Sequence, residues 1–178
     1  MFKLSRKSGG WIETILHRFE GTDGGDPRAG VTIGKDGRLY GTTQGGGAGN
    51  SPWGTVFVLV PRADGPWTET VLYTFQDGSD GSEPVAGLAF GLKGALYGTA
   101  SGGGVWFGGT VFRLMEDSKK SWAFEVLYSF GGSQGDGAGP TAELIFGPNR
   151  NIFSTTLAGG SSKNCSYSGC GTVFEISP

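Results

Sequence analysis

Three aspartates recur at one place in a repeated loop and are the clearest candidates for chemistry. Asp23, Asp80 and Asp136 each stand four residues before a proline, in loops rich in glycine and acidic residues. Carboxylate oxygens are the ligands that Ca²⁺ prefers, so a ring of these side chains predicts a calcium site. An Asp-Gly pair is also typical of a turn, where the carboxylate accepts backbone N–H groups. No loop has the EF-hand spacing, and both interpretations stay open.

A single glutamate, Glu143, replaces the glycine that the other two repeats have at the same position. The position lies on a short apolar strand that we expect to be the innermost of its sheet, so Glu143 and Asp136 are candidate catalytic groups. A bound Ca²⁺ would polarise an ester carbonyl and activate water, which predicts a lactone or ester hydrolase without a Ser-His-Asp triad. The competing interpretation pairs Glu143 with Arg28 of the first repeat. The only histidine, His17, occupies a position that is tyrosine in the other repeats, which favours packing over catalysis.

Binding without catalysis is a second class of function. Trp53 and Trp106 lie in glycine-rich loops, and together with Arg28 they are candidate contacts to a small molecule, a glycan or a peptide. A third class is a structural repeat of the cell surface that binds no ligand. A substrate screen and a metal analysis would separate the hydrolase from the other two classes.

The only two cysteines, Cys165 and Cys170, lie in the third glycine-rich loop. Their C-x4-C spacing fits a disulfide that closes a small loop. Half of a zinc site is the alternative, but no further cysteine and only one histidine are present to complete it. A disulfide predicts an oxidising, extracytoplasmic compartment, although the sequence MFKLSRKSGG lacks the apolar centre of a signal peptide.

The composition excludes several classes of partner. Among 178 residues, 36 are glycines and the formal net charge is −2, so no basic field favours nucleic acid or an anionic membrane. No apolar run has the length of a membrane span. The glycines recur at fixed places among β-branched and aromatic residues, which predicts turns in an all-β fold rather than disorder.

Three copies of one unit position these residues. Tyr40, Tyr97 and Phe153 are equivalent, at spacings of 57 and 56 residues. Each complete copy has four short strands, which in the first copy are A (AGVTIG), B (RLYGTT), C (GTVFVLV) and D (ETVLYTF). Four antiparallel strands per repeat of about 50 residues predict a β-propeller blade, with a β-sandwich as the alternative. The single domain over 1–178 comprises repeats at approximately 27–75, 84–130 and 140–178.

The alternating direction of the strands predicts two loop faces. The D–A loops, with the aspartates, and the B–C loops, with the tryptophans and cysteines, should share one face. The A–B turns and the C–D connections should form the opposite face. On the D strands, Glu13, Glu69 and Glu125 recur at spacings of 56 residues and are predicted to be equivalent.

The order of the strands predicts assembly. The chain begins with a fragment of a C strand, MFKLS, and a D strand over 11–19, and its last repeat has A, B and C strands. We expect the first D strand to be unpaired within the chain and to complete the last blade of a second copy. Three blades are too few to close a ring, so two chains would form a six-bladed homodimer. The MFKLS fragment would then be a relic of a longer repeat array.

The L-Y-G-T-[TA]-x-x-G-G and G-T-V-F-x-L motifs resemble those of the bacterial choice-of-anchor tandem-repeat family called GloVer, from MFKLS to Ile176. The third copy departs from the pattern, with Phe153-Ser154 in place of Tyr-Gly and a loop that carries both cysteines. The resemblance implies an extracytoplasmic repeat protein, in a family whose members are usually longer and are anchored in several ways. It carries no catalytic residues over to this chain. The strand order also resembles quinoprotein-type propeller repeats, without a recognisable quinone ligand set.

Overall fold

The structure, a computed structural model, consists of short β-strands separated by glycine-rich turns. It describes residues 1–49, 52–63, 65–131, 133–162, 164–165 and 169–177. β-Branched and aromatic side chains favour strands because they pack well on a pleated surface. In chain order the strands are β1 (Phe2–Lys7), β2 (Gly10–Ile15), β3 (Thr32–Ile33), β4 (Leu39–Thr43), β5 (Thr55–Val60), β6 (Thr68–Thr74), β7 (Ala89–Phe90), β8 (Leu96–Ala100), β9 (Thr110–Glu116), β10 (Trp122–Ser129), β11 (Gly137–Ala138), β12 (Ile145–Phe146), β13 (Ile152–Thr156), β14 (Ala158–Gly159) and β15 (Thr172–Ile176).

Three antiparallel sheets follow one another along the chain, each built from one repeat. The first sheet has the strand order β3-β4-β5-β6 and the second has β7-β8-β9-β10, so both contain A, B, C and D strands in sequence. The third sheet comprises β12, β13 and β15, which are its A, B and C strands. The predicted all-β class and four-strand unit are confirmed, although each A strand is only two residues long.

Strands β1 and β2 form a separate antiparallel hairpin, which we call the N-terminal hairpin. All six residues of β1 pair with β2, so the prediction that the first D strand is unpaired within the chain is wrong. The strand also ends at Ile15 rather than at residue 19. Pairing satisfies backbone N–H and C=O groups that an open strand edge would leave without partners. The register matches that of β5 and β6, since Leu4 lies opposite Glu13 as Leu59 lies opposite Glu69.

The apolar core lies at the junctions between neighbouring sheets. Phe75 of the first sheet and Phe112 of the second belong to one buried cluster. An equivalent cluster between the second and third sheets contains Phe130 and Ile152. A third cluster joins Phe57 of the first sheet to Leu16, the residue that follows the N-terminal hairpin. Burying one such phenylalanine contributes roughly 2–3 kcal/mol. Each junction therefore repeats one packing arrangement, which fixes where the loops of neighbouring sheets meet.

The D–A and B–C loops lie on one face of the molecule, as predicted. They pair with each other in every repeat, through Gly25 with Gly45, Ser82 with Gly102, and β11 with β14. The A–B turns and the C–D connections lie at the other ends of the same antiparallel strands. They therefore form the opposite face.

Candidate functional site

Asp80 fastens the loop that connects β6 to the second sheet. Its Oδ2 accepts hydrogen bonds from the Tyr73 hydroxyl at 3.0 Å and the Gln76 N–H at 2.9 Å, and its Oδ1 accepts one from the Gly78 N–H at 3.0 Å. Burial, reinforced by the contact with Asp80, raises the pKa of Tyr73, so its hydroxyl keeps the proton that it donates. We call this arrangement the aspartate clasp.

The aspartate clasp recurs in the other two repeats. Asp136 accepts hydrogen bonds from the Tyr128 hydroxyl at 3.1 Å and the Gly131 N–H at 2.9 Å. Asp23 Oδ2 lies 2.8 Å from Nε2 of His17, which takes the place of the tyrosine. The sequence predicted only packing for this position, and the separation from the aspartate varies over 6, 7 and 8 residues. No fixed spacing therefore reveals the donor.

The contacts of the aspartates fit the turn interpretation better than the calcium interpretation. Their carboxylates accept hydrogen bonds from their own loops, and a cation would have to replace these donors. Among the described residues, no group of three or more histidine, cysteine, aspartate or glutamate side chains is placed to hold a metal ion. The calcium site stays a prediction, and its test is whether Ca²⁺ raises the melting temperature.

Glu143 lies where the A strands of the second and third sheets meet. Its side chain is exposed, and a Cβ added at Gly87 would lie 2.9 Å from its Oε1. Arg28 is also exposed, and no ion pair joins it to Glu143 in the described part of the chain. Glu143 of the third repeat thus lies over Gly87, which is the equivalent residue of the second repeat. Its catalytic role with Asp136 stays a prediction.

The two candidate tryptophans do not occupy equivalent places. Trp53 is half-buried against the core between the first and second sheets, and its carbonyl accepts the Glu83 N–H at 2.9 Å. The matching carbonyl in the second sheet belongs to Gly108. Trp106 is 58% exposed at the tip of its loop, beside Phe107, which is 82% exposed. Trp53 therefore serves mainly the sheet junction, and Trp106 is the more accessible candidate contact.

Cys165 and Cys170 form a disulfide, with their Cα atoms 5.3 Å apart. The bond confirms the disulfide interpretation over half of a zinc site. It closes the third B–C loop, in which Gly169 also forms a bridge with Gly159. The disulfide and the bridge therefore both join parts of the same loop.

Two clefts on the face of the A–B turns were not predicted from the sequence. The first cleft, of about 790 Å³, lies between the A–B turns 34–38 and 91–95. The second cleft, of about 570 Å³, lies between the turns 91–95 and 147–151. Residues 90–93 line both clefts, which therefore adjoin each other. The regular recurrence of these turns is the sequence signal that could have indicated a repeated site.

Cations dominate the charged lining of both clefts. In the second cleft all charged lining residues are cations, namely Lys93, Arg113 and Arg150. The hydrogen bond to Tyr97, with the contact to Glu125, raises the pKa of Arg113, so this guanidinium stays charged. The first cleft has four cations against two carboxylates: Lys35, Arg38, Lys93, Lys120, Asp36 and Glu116. Both clefts therefore favour an anionic ligand.

Glu69 has an environment that the sequence does not reveal. It lies opposite Leu59, which belongs to the buried cluster that also contains Leu16, the residue after the N-terminal hairpin. Its Oε1 is buried and has no hydrogen-bond partner among the residues that the structure describes. Burial, followed by the charge of Asp23, raises the pKa of Glu69 to about 7.

The predicted equivalence of Glu69 and Glu125 is wrong. Glu125 lies opposite Arg113 and binds it, whereas Phe124 lies opposite Leu114 and takes the place that corresponds to Glu69. Successive strand residues point to opposite faces, so a shift of one position turns the glutamate to the other face. The second sheet thus has an aromatic ring where the first has a partly buried acid.

Glu69→Gln is expected to stabilise the protein at about pH 8 and to leave its stability nearly unchanged at about pH 4. The folded protein holds the Glu69 proton up to a pKa of about 7, whereas the unfolded chain releases it near 4.5. Stability therefore falls as the pH rises through this window, and glutamine avoids the loss. We expect a gain of about 1 kcal/mol at pH 8, because partial exposure weakens the effect. Chemical denaturation at both pH values measures it.

Glu13→Gln is the matched control, since Glu13 occupies the equivalent strand position and is exposed. It should change the free energy of unfolding by less than about 0.5 kcal/mol at either pH. An equal gain for Glu69→Gln at both pH values would contradict proton release as the cause.

The repeated sheets, junction cores and aspartate clasps define an all-β tandem-repeat protein. The chain belongs to the Gloeobacter/Verrucomicrobia repeat family, whose model matches residues 1–178. The resemblance to GloVer repeats is thereby confirmed. No curated protein matches the chain. In the ranges that the structure describes, no helix has the length and apolarity needed to cross a membrane.

Proposed function

We propose that the chain is a non-catalytic binding module whose ligand lies in the first and second clefts. The observation that supports this proposal is that a cleft recurs between neighbouring A–B turns, once between the first and second turns and once between the second and third. Because residues 90–93 line both clefts, one extended ligand can occupy the two together. Contacts repeated along one ligand raise its affinity by multivalency.

The ligand class that fits the lining is an acidic oligosaccharide. Lys93 and Arg150 form no ion pair in the described part of the chain, so their charges are available for carboxylates. Leu92, Trp122 and Phe146 supply apolar surface beside them. A polymer with charges at regular intervals and apolar ring faces matches both features.

Lys93→Glu is expected to weaken binding of an oligogalacturonate at least tenfold, which corresponds to about 1.4 kcal/mol. The reversal places a carboxylate in both clefts, since Lys93 lines each of them. Titration calorimetry at about 0.15 M salt measures the dissociation constant under physiological screening.

Lys119→Glu is the matched control, because Lys119 lies on the C–D connection beside Lys120 but lines neither cleft. It makes the same change in net charge and should leave the dissociation constant unchanged. A neutral oligosaccharide of equal length and polyglutamate are the comparison ligands. Absence of binding, equal loss in both variants, or preference for polyglutamate would contradict the assignment of an acidic glycan.

We also propose that the three sheets are blades of a β-propeller and that two copies supply six blades. Two observations support this arrangement. The sheets pack through the same cluster at every junction, and Glu143 covers Gly87, so neighbouring A strands lie side by side. Side-by-side innermost strands are expected around a propeller axis.

The disulfide supports an oxidising, extracytoplasmic compartment as part of this proposal. Calcium-dependent hydrolysis of a lactone or ester is the second candidate function, favoured by the exposed carboxylate of Glu143. We place binding first because the carboxylate of Asp136 already accepts hydrogen bonds from its own loop. A screen of lactones and esters with and without a chelator separates the two functions.

A further inference from the structure

The outer face of the third sheet exposes residues whose counterparts are buried at the other junctions. Val173 is 80% exposed, whereas the equivalent Val56 and Val111 are 0% exposed. Thr155 is exposed, whereas the equivalent Thr42 and Thr99 are 2% and 1% exposed. This face therefore has the composition of a sheet junction without a covering sheet.

At the existing junctions, a threonine of one sheet donates a hydrogen bond to a backbone carbonyl of the next repeat. Thr42 Oγ1 donates to the Ala86 carbonyl at 2.8 Å, and Thr99 Oγ1 donates to the Ala142 carbonyl at 3.4 Å. Thr155 occupies the same position, and its missing acceptor corresponds to the carbonyl of Ala29, in the first repeat. The complementary surface is thus present on the same molecule, at its other end.

The loop that enters the first sheet is uncovered in the matching way. Pro27 is exposed, whereas Pro84 and Pro140 are buried. Each buried proline lies against a glycine of the preceding B–C loop: a Cβ at Gly54 or Gly109 would be 2.6 Å from the proline Cδ. Gly171 is the corresponding glycine of the third sheet, and it has no proline against it in the described residues.

The N-terminal hairpin determines how these two surfaces can meet. Its strand β2 stands where a D strand precedes the first sheet, and Leu16 packs on Phe57 in the same cluster. Among the described residues, the third sheet has no D strand and the outer edge of β15 has no strand partner. However, β1 already holds the edge of β2 that a C strand such as β15 would need.

We propose that β1 pairs with the edge of β2 that β15 of a second copy can also pair with. When two copies associate, β15 of one copy displaces β1 from β2 of the other. This inference rests on the six-bladed ring proposed above and adds the strand exchange that forms it. In the exchanged pair Phe174 lies opposite Ile15 of the other copy, as Phe2 does within one copy. Thr155 and Gly171 of one copy then reach Ala29 and Pro27 of the other.

We expect β1 rather than β15 to leave its partner, because β1 has fewer contacts with the rest of the chain. Five of its six residues are exposed, and it pairs with β2 alone. β15 pairs with β13, and the ring of Phe174 packs on that of Phe130 with centroids 5.0 Å apart. Once β1 has left, each copy contributes twelve strands: β2, four strands from the first sheet, four from the second and three from the third. Because β2 completes the third sheet of the other copy, this number is enough for three four-stranded sheets per copy.

Deletion of residues 1–7 is therefore expected to tighten association at least tenfold, because no β1–β2 pairing has to be broken first. Sedimentation equilibrium over a concentration series measures the dissociation constant, with the dimer at twice the 18.5 kDa chain mass. Weaker association after the deletion would overturn the displacement but leave the six-bladed ring standing. Monomers of both proteins up to about 100 µM would overturn the displacement and the ring together.

Val173→Asp tests the surface on the third sheet. It should weaken association at least tenfold in the deleted chain while leaving the melting temperature of the monomer unchanged, since Val173 is exposed there. Val105→Asp is the matched control, because Val105 is 57% exposed on the second B–C loop. Equal effects of the two variants would overturn the assigned surface.

A cross-link reports the exchanged strand directly. When copies with Ile15→Cys are mixed with copies with Phe174→Cys, oxidation should join the two chains, because facing residues of paired strands lie within disulfide reach. Oxidised mixtures without this cross-link, at concentrations where the dimer forms, would overturn the proposed register.

Discussion

Replacing Gly109 by alanine is expected to lower the free energy of unfolding by about 3 kcal/mol or more. Gly109 has a φ of +91°, which strains any residue with a Cβ. The added Cβ would also lie 2.5 Å from the carbonyl oxygen of Ala100 and 2.6 Å from Cδ of Pro140. Because Pro140 is buried and leads into the third sheet, relief of this clash must open a sheet junction. Urea denaturation monitored by tryptophan fluorescence measures the loss.

Gly94→Ala separates the two causes of that loss. Gly94 has a similar φ of +79°, but a Cβ there meets nothing within 4 Å. The variant should therefore lose only about 1 kcal/mol, the cost of the backbone conformation. Equal losses in the two variants would contradict the idea that the proline and glycine contact holds the junction.

The Asp80→Asn variant is expected to lose about 2–3 kcal/mol of stability. Asp80 accepts three hydrogen bonds, two of them from the N–H groups of Gln76 and Gly78. An asparagine has one oxygen, so in either orientation its amide group would face one of these backbone donors. Thermal unfolding with Ca²⁺ and with a chelator should show the same loss, because the three hydrogen bonds that the substitution disturbs come from protein groups.

Tyr73→Phe is expected to have a smaller effect than Asp80→Asn, because it removes only one of the three hydrogen bonds that Asp80 accepts. It should cost about 1 kcal/mol. A wild-type melting temperature that rises with Ca²⁺, combined with no such rise in Asp80→Asn, would contradict the clasp and favour the calcium site.

Sequence periodicity predicts much of the fold because the repeats constrain one another. The columns of glycine, tyrosine and proline predict the strands and the shared loop face. The pairing of β1 with β2 was not predicted because strand order alone does not distinguish pairing within one copy from pairing between two copies. A strand edge in need of hydrogen bonds takes the nearest available partner, whatever its motif.

The candidate site is less predictable, because residue type alone does not fix what a side chain contacts. The recurring aspartates suggest a metal site. However, their carboxylates accept hydrogen bonds from side chains at an aromatic position, such as Tyr73 and Tyr128, whose separation from the aspartate along the sequence varies. The clefts depend on how A–B turns of different repeats approach each other, which no single repeat encodes. The raised pKa of Glu69 depends on burial and on the charge of Asp23, which is remote in sequence.

The N-terminal hairpin also has a kinetic consequence. If β1 must leave β2 before another strand can enter, productive encounters wait for a spontaneous opening of the hairpin. The association rate then levels off at high protein concentration, at the opening rate, instead of rising in proportion to it. Such a delay would keep two copies apart, with the edge of β2 covered, until a hairpin opens.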